Sequence, residues 1–261
     1  MSPALTVIVI IGASVLSAIA GLLWVRRLVP LSFLETHHEV AGFFISVLSV
    51  IYAVLLGFVV LVVWEDFEEI RAAVVQEANQ LGDILQMARG FPAPVPQRVQ
   101  QGITTYVRAV VDDEWSTMAQ GQASAQAQSA MADLWQTYMA LEPTTARQSA
   151  LYAETLNRLN ALSETRRLRL HASRDKIPRL MWVLLWAGGL ITVLFTYFFG
   201  VQSIRSQVLM TTALTILIAL MLLLIVALEQ PFAGLVRITP EPFLETLESL
   251  RSASSPLAKQ P

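Results

Sequence analysis

The sequence contains no cysteine and only three histidines. Disulfides, thiol catalysis and thiolate metal sites are therefore excluded, and so is a metal site built from several histidines. Charged residues are also scarce, at 15% of the chain against about 25% in soluble domains. The formal net charge of −2 gives no reason to expect a nucleic-acid partner. No phosphate-cradling glycine loop, nucleophile elbow or HExxH motif is present, so we predict neither an enzyme nor a cofactor.

Hydrophobic residues make up 54% of the 261 residues, and the mean hydropathy is +0.55. Four runs carry no charge, or one charge at their start, and reach the roughly 20 residues that cross the hydrocarbon core as a helix. They cover residues 4–25, 40–64, 177–201 and 208–228. Aromatic residues near the ends of these runs suit the membrane interface: Trp24, Trp64, Trp182, Trp186 and Tyr197.

The polar segment between the second and third runs has helical periodicity and no alternating strand pattern. We therefore predict an all-α integral membrane protein with four transmembrane helices and a helical domain inserted between the second and the third. The predicted parts are transmembrane helices 1 and 2 in residues 1–64, a helical extramembrane domain in 65–176, transmembrane helices 3 and 4 in 177–230, and a short C-terminal helix and tail in 231–261.

Within the insert, apolar residues at steps of three and four continue after Trp64, so the second span is expected to run unbroken into this domain. The proline-rich segment 90–96 ends that helix, because proline cannot continue it. The Gln/Ala/Ser run 120–130 is interpreted as a soft connection. Thr144 and Thr145 are plausible N-caps of the last helix of the insert.

Two charged segments of the insert have simple interpretations. The carboxylates Asp112, Asp113 and Glu114 are interpreted as a solvated helix face rather than a metal or acid–base site. The basic run 166–179 is interpreted as the positive flank of the third span, with binding of anionic lipid headgroups as the alternative.

Four spans place both termini and the insert on one side of the membrane, and the short loops 26–39 and 202–207 on the other. Lysine and arginine are more numerous near the span ends on the insert side, which favours a cytoplasmic insert by the positive-inside rule. Arg26 and Arg27, which follow the first span, favour the opposite orientation. We predict a multi-pass protein of the bacterial inner membrane whose termini and helical domain are cytoplasmic.

The second span carries two rows of residues that could face a conduit. A row of small residues either allows close helix packing or lines a narrow pore. A row of bulky apolar residues would instead form a hydrophobic constriction. The small row consists of Gly42, Ser46, Ser49, Ala53, Gly57 and Val60, and its pore-lining candidates are Ser46, Ser49, Ala53 and Gly57. The bulky row consists of Phe44, Leu48, Ile51, Leu55 and Phe58. The sequence does not choose between these rows.

The third span has a small-residue row of its own, which we interpret as a helix-packing seam. This row consists of Gly188, Thr192, Thr196 and Gly200. The middle of every predicted span lacks Asp, Glu, Lys, Arg and His. Proton relays and coupled transporters need such groups at depth, so a proton-driven carrier or pump is not expected.

Several short motifs are spread over nearly the whole chain. The segment Tyr-Ala-Val-Leu-Leu-Gly-Phe-Val at 52–59 leads into Trp-Glu-Asp-Phe at 64–67. Glu-Ala-Asn follows at 77–79 and Ala-Val-Val-Asp-Asp-Glu-Trp at 109–115. After the fourth run come Pro-Phe-Ala-Gly at 231–234 and Pro-Glu-Pro-Phe at 240–243. Together these motifs resemble the bacterial bestrophin-like family of membrane proteins.

The resemblance implies a pentameric anion channel whose second helix lines the pore and whose termini and helical domain are cytoplasmic. Two departures matter. No acidic cluster after the last span matches the bestrophin calcium clasp, and the neck residues do not align one by one, so no pore residue is carried over.

Two functions follow as hypotheses. The first is a homo-oligomeric ion channel in the lipid bilayer, conducting anions such as chloride, with the second helix lining the pore. The alternative is a non-conducting membrane scaffold or sensor whose helical domain binds a partner.

Overall fold

The structure is a computed structural model that describes residues 3–30, 38–174, 177–199 and 203–254. Over these ranges the chain is helical and contains no β-strand. The fold divides into two compact units. The span unit comprises residues 1–65 and 176–229, and the insert unit comprises residues 66–175 and 230–261.

Within the described ranges, four helices are long and apolar enough to cross a membrane, which confirms the four predicted spans. They are α1 (Pro3–Leu28), α2 (His38–Ala88), α7 (Arg179–Tyr197) and α8 (Ile204–Leu228). The chain is thus an all-α integral membrane protein. In the span unit, α1 packs against α8, and α7 packs against both.

Helix α2 continues past Trp64 without a break to Ala88, as its apolar periodicity predicts. It ends just before the segment that contains Pro92 and Pro94, and the next helix begins at Val95. One helix therefore supplies residues to both units.

The described members of the small-residue row of α7 form a helix-packing seam, as predicted. The ring of Tyr52, on α2, fills the space above Gly188 and Gly189, and its hydroxyl donates to the Leu185 carbonyl at 3.0 Å. Farther along the row, the Thr196 hydroxyl lies 3.1 Å from that of Thr211 on α8. Gly200 lies outside the described residues. Close backbone approach is the ordinary use of such rows in lipid.

We predict that Gly188→Ala destabilises the protein, because its Cβ would lie 2.6 Å from Cε2 of Tyr52. Overpacking of this kind costs about 1–3 kcal/mol. Thermal unfolding in detergent measures the effect. The matched control is Gly12→Ala, since a Cβ at Gly12 meets nothing within 4 Å. Equal midpoints for the two variants would show that the Tyr52 contact does not constrain α7.

The insert unit is built from the second part of α2 and shorter helices. They are α3 (Val95–Ala109), a π-helical turn (Val110–Glu114), α4 (Trp115–Met118), α5 (Ala125–Met139), α6 (Ala146–Ala172) and α9 (Glu241–Ser254). Its apolar core is fully buried and includes Leu81, Ile84, Val99, Ile103, Val107, Leu134, Leu159 and Leu162. Helix α3 packs chiefly against α5, and the Tyr138 hydroxyl of α5 donates to the Ile84 carbonyl at 3.2 Å.

Side-chain caps set where two of these helices begin. Thr145 caps α6, as predicted, by accepting from the Gln148 backbone amide at 3.2 Å. The interpretation of residues 120–130 as a soft connection is wrong from Ala125 onward. Ser124 accepts from the backbone amides of Gln126 and Ala127, both at 3.1 Å, and the alanine and glutamine residues that follow are good helix formers.

The C-terminal helix α9 belongs to the insert unit. Its apolar face, Phe243, Leu247 and Leu250, is buried, and it packs against α3. The Gln100 side chain of α3 donates to the Leu250 carbonyl at 3.1 Å. This segment therefore completes the core of the insert unit.

Candidate functional site

The two candidate rows of α2 flank a third face, which is the one that this chain buries. The buried residues are Tyr52, Leu56, Val59 and Val63. In the bulky row, Phe44, Ile51 and Phe58 are 54%, 62% and 61% exposed, and Leu48 and Leu55 are half-buried. In the small row, Ser46, Ala53 and Gly57 are exposed and Ser49 is half-buried. Both rows thus remain largely uncovered by the described residues of the chain.

At Gly57, the small row does not pack against another described part of the same chain. A Cβ built there meets nothing within 4 Å, whereas at Gly42 it reaches a Phe199 ring atom at 3.9 Å. The Ser46 hydroxyl donates to the Gly42 carbonyl of its own helix at 2.8 Å. The row is therefore open to contacts from outside the described chain at Gly57, whereas the chain itself half-buries Ser49.

A second candidate site lies in the insert unit, where charged side chains are fully buried. We call Glu77, Glu114, Arg166 and Arg169 the buried ionic cluster. Glu77 lies on α2, Glu114 on the π-helical turn, and both arginines on α6. Arg169 and both carboxylate side chains are 0% exposed, and Arg166 is 11% exposed.

Arg169 forms the centre of this cluster. Its Nε and one terminal nitrogen donate to the two carboxylate oxygens of Glu77, at 2.7 and 2.9 Å. The same terminal nitrogen lies 2.9 Å from Glu114 Oε2. Arg166 binds the other oxygen of Glu114 at 2.5 Å. Two cations and two anions thus balance in formal charge inside the unit, as burial requires.

Neutral groups complete the shell around these charges. The Tyr106 hydroxyl donates to Glu77 Oε1 at 2.5 Å. The guanidinium carbon of Arg169 lies 5.6 Å from the ring centre of Trp115 and 5.7 Å from that of Phe243. Such distances allow cation–π attraction. Phe243 comes from α9, so the C-terminal segment covers the cluster.

Burial and neighbouring charge have opposite effects on the pKa of Arg169. Burial lowers the pKa of its guanidinium, but the charge and hydrogen bonds of Glu77 raise it more, so the pKa lies above its ordinary value. Burial also raises the pKa of the Tyr106 hydroxyl, and the Glu77 carboxylate raises it further. Tyr106 is therefore a neutral donor, and Arg169 a cation, throughout the physiological range.

The π-helical turn gives Glu114 its place in the cluster. One wide turn shifts the register of a helix relative to regular α-helix, and here it separates α3 from α4. Glu114 points into the core and accepts from both arginines, whereas Asp112 in the same turn is exposed. Asp113 accepts from the Ser124 hydroxyl.

These positions correct two interpretations of the sequence. Asp112–Glu114 is not a uniformly solvated face, because Glu114 is buried and paired. The run 166–179 is not simply a flank of the third span, because Arg166 and Arg169 serve the core of the insert unit. The sequence carried a signal for this: Arg166 and Arg169 continue the buried stripe of Leu159 and Leu162 at helical spacing.

The hydrogen bonding of the buried ionic cluster indicates a structural role. Every carboxylate oxygen of Glu77 and Glu114 accepts from an arginine. Among the described residues, no group of three or more His, Asp or Glu side chains is arranged to hold a metal ion.

A family model described as a bestrophin-like domain matches residues 12–243. The chain belongs to the bestrophin-like family. Comparison with curated protein sequences gives no match.

Several solved structures have the same fold as this bestrophin-like chain. A single-substitution variant of a bacterial bestrophin homologue from Klebsiella pneumoniae has a TM-score of 0.71 at 15% identity, over 96% of this chain and 100% of the other. A second variant of that homologue scores 0.65 at 13% identity, over 94% and 98%. The crystal structure of a membrane protein scores 0.69 at 13% identity, over 98% and 100%.

We predict that Arg169→Leu strongly destabilises the bestrophin-like chain, because it leaves Glu77 buried without its cation. Removing one partner of a buried ion pair costs about 3–5 kcal/mol. The control is Arg158→Leu, since Arg158 pairs with Asp83 at 3.3 Å and Glu154 at 3.0 Å while 42% exposed. Exposed pairs contribute about 0–1 kcal/mol.

Thermal or denaturant unfolding of the purified protein compares the two variants. Adding Glu77→Gln to Arg169→Leu should recover part of the loss, because it removes an uncompensated buried charge. Equal losses for Arg169→Leu and Arg158→Leu would contradict the central position of Arg169.

Proposed function

We propose that the protein is a homo-oligomeric ion channel that conducts anions, with α2 lining the pore. The observation that carries this proposal is the uncovered surface of α2: the small row and the bulky row both stay largely exposed in one chain. In an oligomer these rows would meet neighbouring copies or an aqueous axis. Membership of the bestrophin-like family supports the channel, and the family resemblance suggests a pentamer and chloride as the permeant ion.

The composition of the spans supports a passive conduit over a coupled carrier. From Gly42 to Trp64, α2 contains no Asp, Glu, Lys, Arg or His. Cation channels often select with rings of carboxylates, and α2 offers none along this stretch. Gating by a hydrophobic constriction and selection by pore diameter need no charge, which suits either row of α2.

A purified, oriented preparation in a planar bilayer tests this function directly. With a KCl gradient between the chambers, we expect a conductance that reverses near the chloride potential. Reversal near the potassium potential would support channel activity but contradict the proposed anion selectivity. A silent bilayer containing verified, oriented protein would reject the channel in favour of a scaffold or sensor whose helical domain binds a partner.

The absence of cysteine from the chain makes the pore face directly measurable. Single cysteines at Ser49, Ala53 and Gly57 probe the small row, and those at Leu48, Ile51 and Leu55 probe the bulky row. A charged, membrane-impermeant thiol reagent should reduce the current through only one set, because only one row faces the water-filled axis.

Leu56→Cys is the matched control, since Leu56 lies on the buried face of the same helix and should not react. Current that is insensitive to the reagent at both rows would contradict a pore lined by α2. Should the bulky row react, the constriction would be hydrophobic, and replacing Phe58 with alanine would then widen it.

We place the insert unit in the cytoplasm, at the bacterial inner membrane. The excess of basic residues near the span ends on the insert side supports this orientation. The packing of α9 against α3 supports a shared side for the insert and the C-terminal segment. A cysteine at the exposed residue Gln122, labelled from outside intact cells, would indicate the reverse orientation.

A further inference from the structure

A cavity of about 480 Å³ lies within the span unit, between α1, α7 and α8. Its volume falls in the range of small-molecule sites, roughly 300–1,000 Å³. The three helices that enclose it are membrane-spanning, so the cavity lies at the depth of the bilayer. None of the described residues that line it belongs to α2, so it is separate from the proposed pore.

The Tyr197 hydroxyl is a buried polar group of this cavity that the chain leaves without a partner. Tyr197 lines the cavity and is 4% exposed. Its hydroxyl reaches across to Gly21 of α1, where an added Cβ would lie 2.9 Å from the oxygen. Within the part of the chain that the structure describes, no group forms a hydrogen bond with this hydroxyl. An unpaired donor at membrane depth is unfavourable, so an occupant that supplies an acceptor oxygen gains from this position.

The other hydroxyl groups of the wall donate to backbone carbonyls of their own helices. The Ser14 hydroxyl donates to the Ile10 carbonyl, and the Ser17 hydroxyl to the Ser14 carbonyl, both at 2.9 Å. The Thr215 hydroxyl donates to the Thr211 carbonyl at 2.7 Å. Among the described hydroxyls of the cavity, Tyr197 is therefore the one whose donor is free for an occupant.

The lining also restricts the charge and the shape of an occupant. The described residues of the wall include no Asp, Glu, Lys, Arg or His, so a charged molecule would lose its hydration without gaining a counter-ion. Three aromatic side chains stand in the wall, namely Trp24, Trp186 and Tyr197. Aromatic side chains favour stacked or edge-to-face contact with another planar ring. A neutral planar molecule with an acceptor oxygen at its edge satisfies all of these conditions.

We propose that this cavity is a binding site for a neutral planar ring ketone, the chemical class to which quinones belong. The ring lies against the aromatic side chains of the wall, and one carbonyl oxygen accepts from the Tyr197 hydroxyl. Binding at this site requires neither a pore nor a current, so its test is independent of the proposed channel.

Equilibrium dialysis of the full-length protein in detergent, against empty micelles of the same detergent, tests this site. Menadione is the ketone probe, and methylnaphthalene is the same ring system without its carbonyl groups. The absence of cysteine from the chain removes the thiols with which a quinone would react. We expect saturable binding of menadione that is tighter than that of methylnaphthalene, because only the ketone gives the Tyr197 hydroxyl an acceptor.

Tyr197→Phe should weaken the binding of menadione about fivefold, the typical contribution of one neutral hydrogen bond. The same variant should leave the binding of methylnaphthalene unchanged. The matched control is Tyr52→Phe, which removes another buried tyrosine hydroxyl of the span unit. The Tyr52 hydroxyl donates to the Leu185 carbonyl, and Tyr52 lies outside the lining of the cavity, so this variant should bind both probes normally.

Gly21→Ala tests the position of the hydroxyl. The added Cβ would displace the Tyr197 oxygen, so the affinity for menadione should fall by at least about fivefold. Gly12→Ala is the control on the same helix, since a Cβ at Gly12 meets nothing within 4 Å, and it should not change the affinity.

Several outcomes would overturn the site. Equal loss of menadione affinity in Tyr197→Phe and Tyr52→Phe would mean a general effect on helix packing. Uptake that does not saturate, or equal affinity for the two probes, would mean simple partition into an apolar space. Displacement of menadione by phosphatidylcholine would assign the cavity to a bilayer lipid. Binding only after dissociation of the oligomer would assign it to a helix of a second copy. If Gly21→Ala does not fold, the pair of tyrosine variants decides.

Discussion

Arg169 is a cation with no exposed surface, and it shares its guanidinium between carboxylates on two other elements of the insert unit. Because these ion pairs join α2, the π-helical turn and α6, the relative rotation and register of the three elements are constrained together. An apolar core alone tolerates many alternative packings of similar volume. A buried ion pair tolerates far fewer, since a misplaced partner leaves a charge uncompensated. Trp115 and Phe243 extend the same constraint to α4 and α9.

The larger features of this fold follow from the sequence because they depend on local properties. Span length and hydropathy predict α1, α2, α7 and α8, and unbroken apolar periodicity predicts the continuation of α2. Thr145 is recognisable as a cap from its own neighbourhood. The buried ionic cluster depends instead on pairing at a distance: Arg169 and Glu77 are 92 residues apart. Composition assigns such residues to the surface, and only their place within apolar stripes indicates otherwise.

The candidate pore faces illustrate a different limit. The sequence of α2 predicts two rows, but the face that the chain buries is a third, centred on Tyr52 and Leu56. That face is set by the glycines of α7, which leave room for the Tyr52 ring. The choice between the two remaining rows depends on contacts between copies of the chain, and a pattern within one copy does not contain that information.

The aromatic cover of the ionic cluster has a consequence for biosynthesis. Phe243 follows both α7 and α8 in the chain, yet it belongs to the core of the insert unit. During translation the ribosome releases α6 well before α9, at a rate of about 5–20 residues per second. Phe243 therefore cannot cover Arg169 until the last two spans have been synthesised. Completion of this core is thereby a late event of translation.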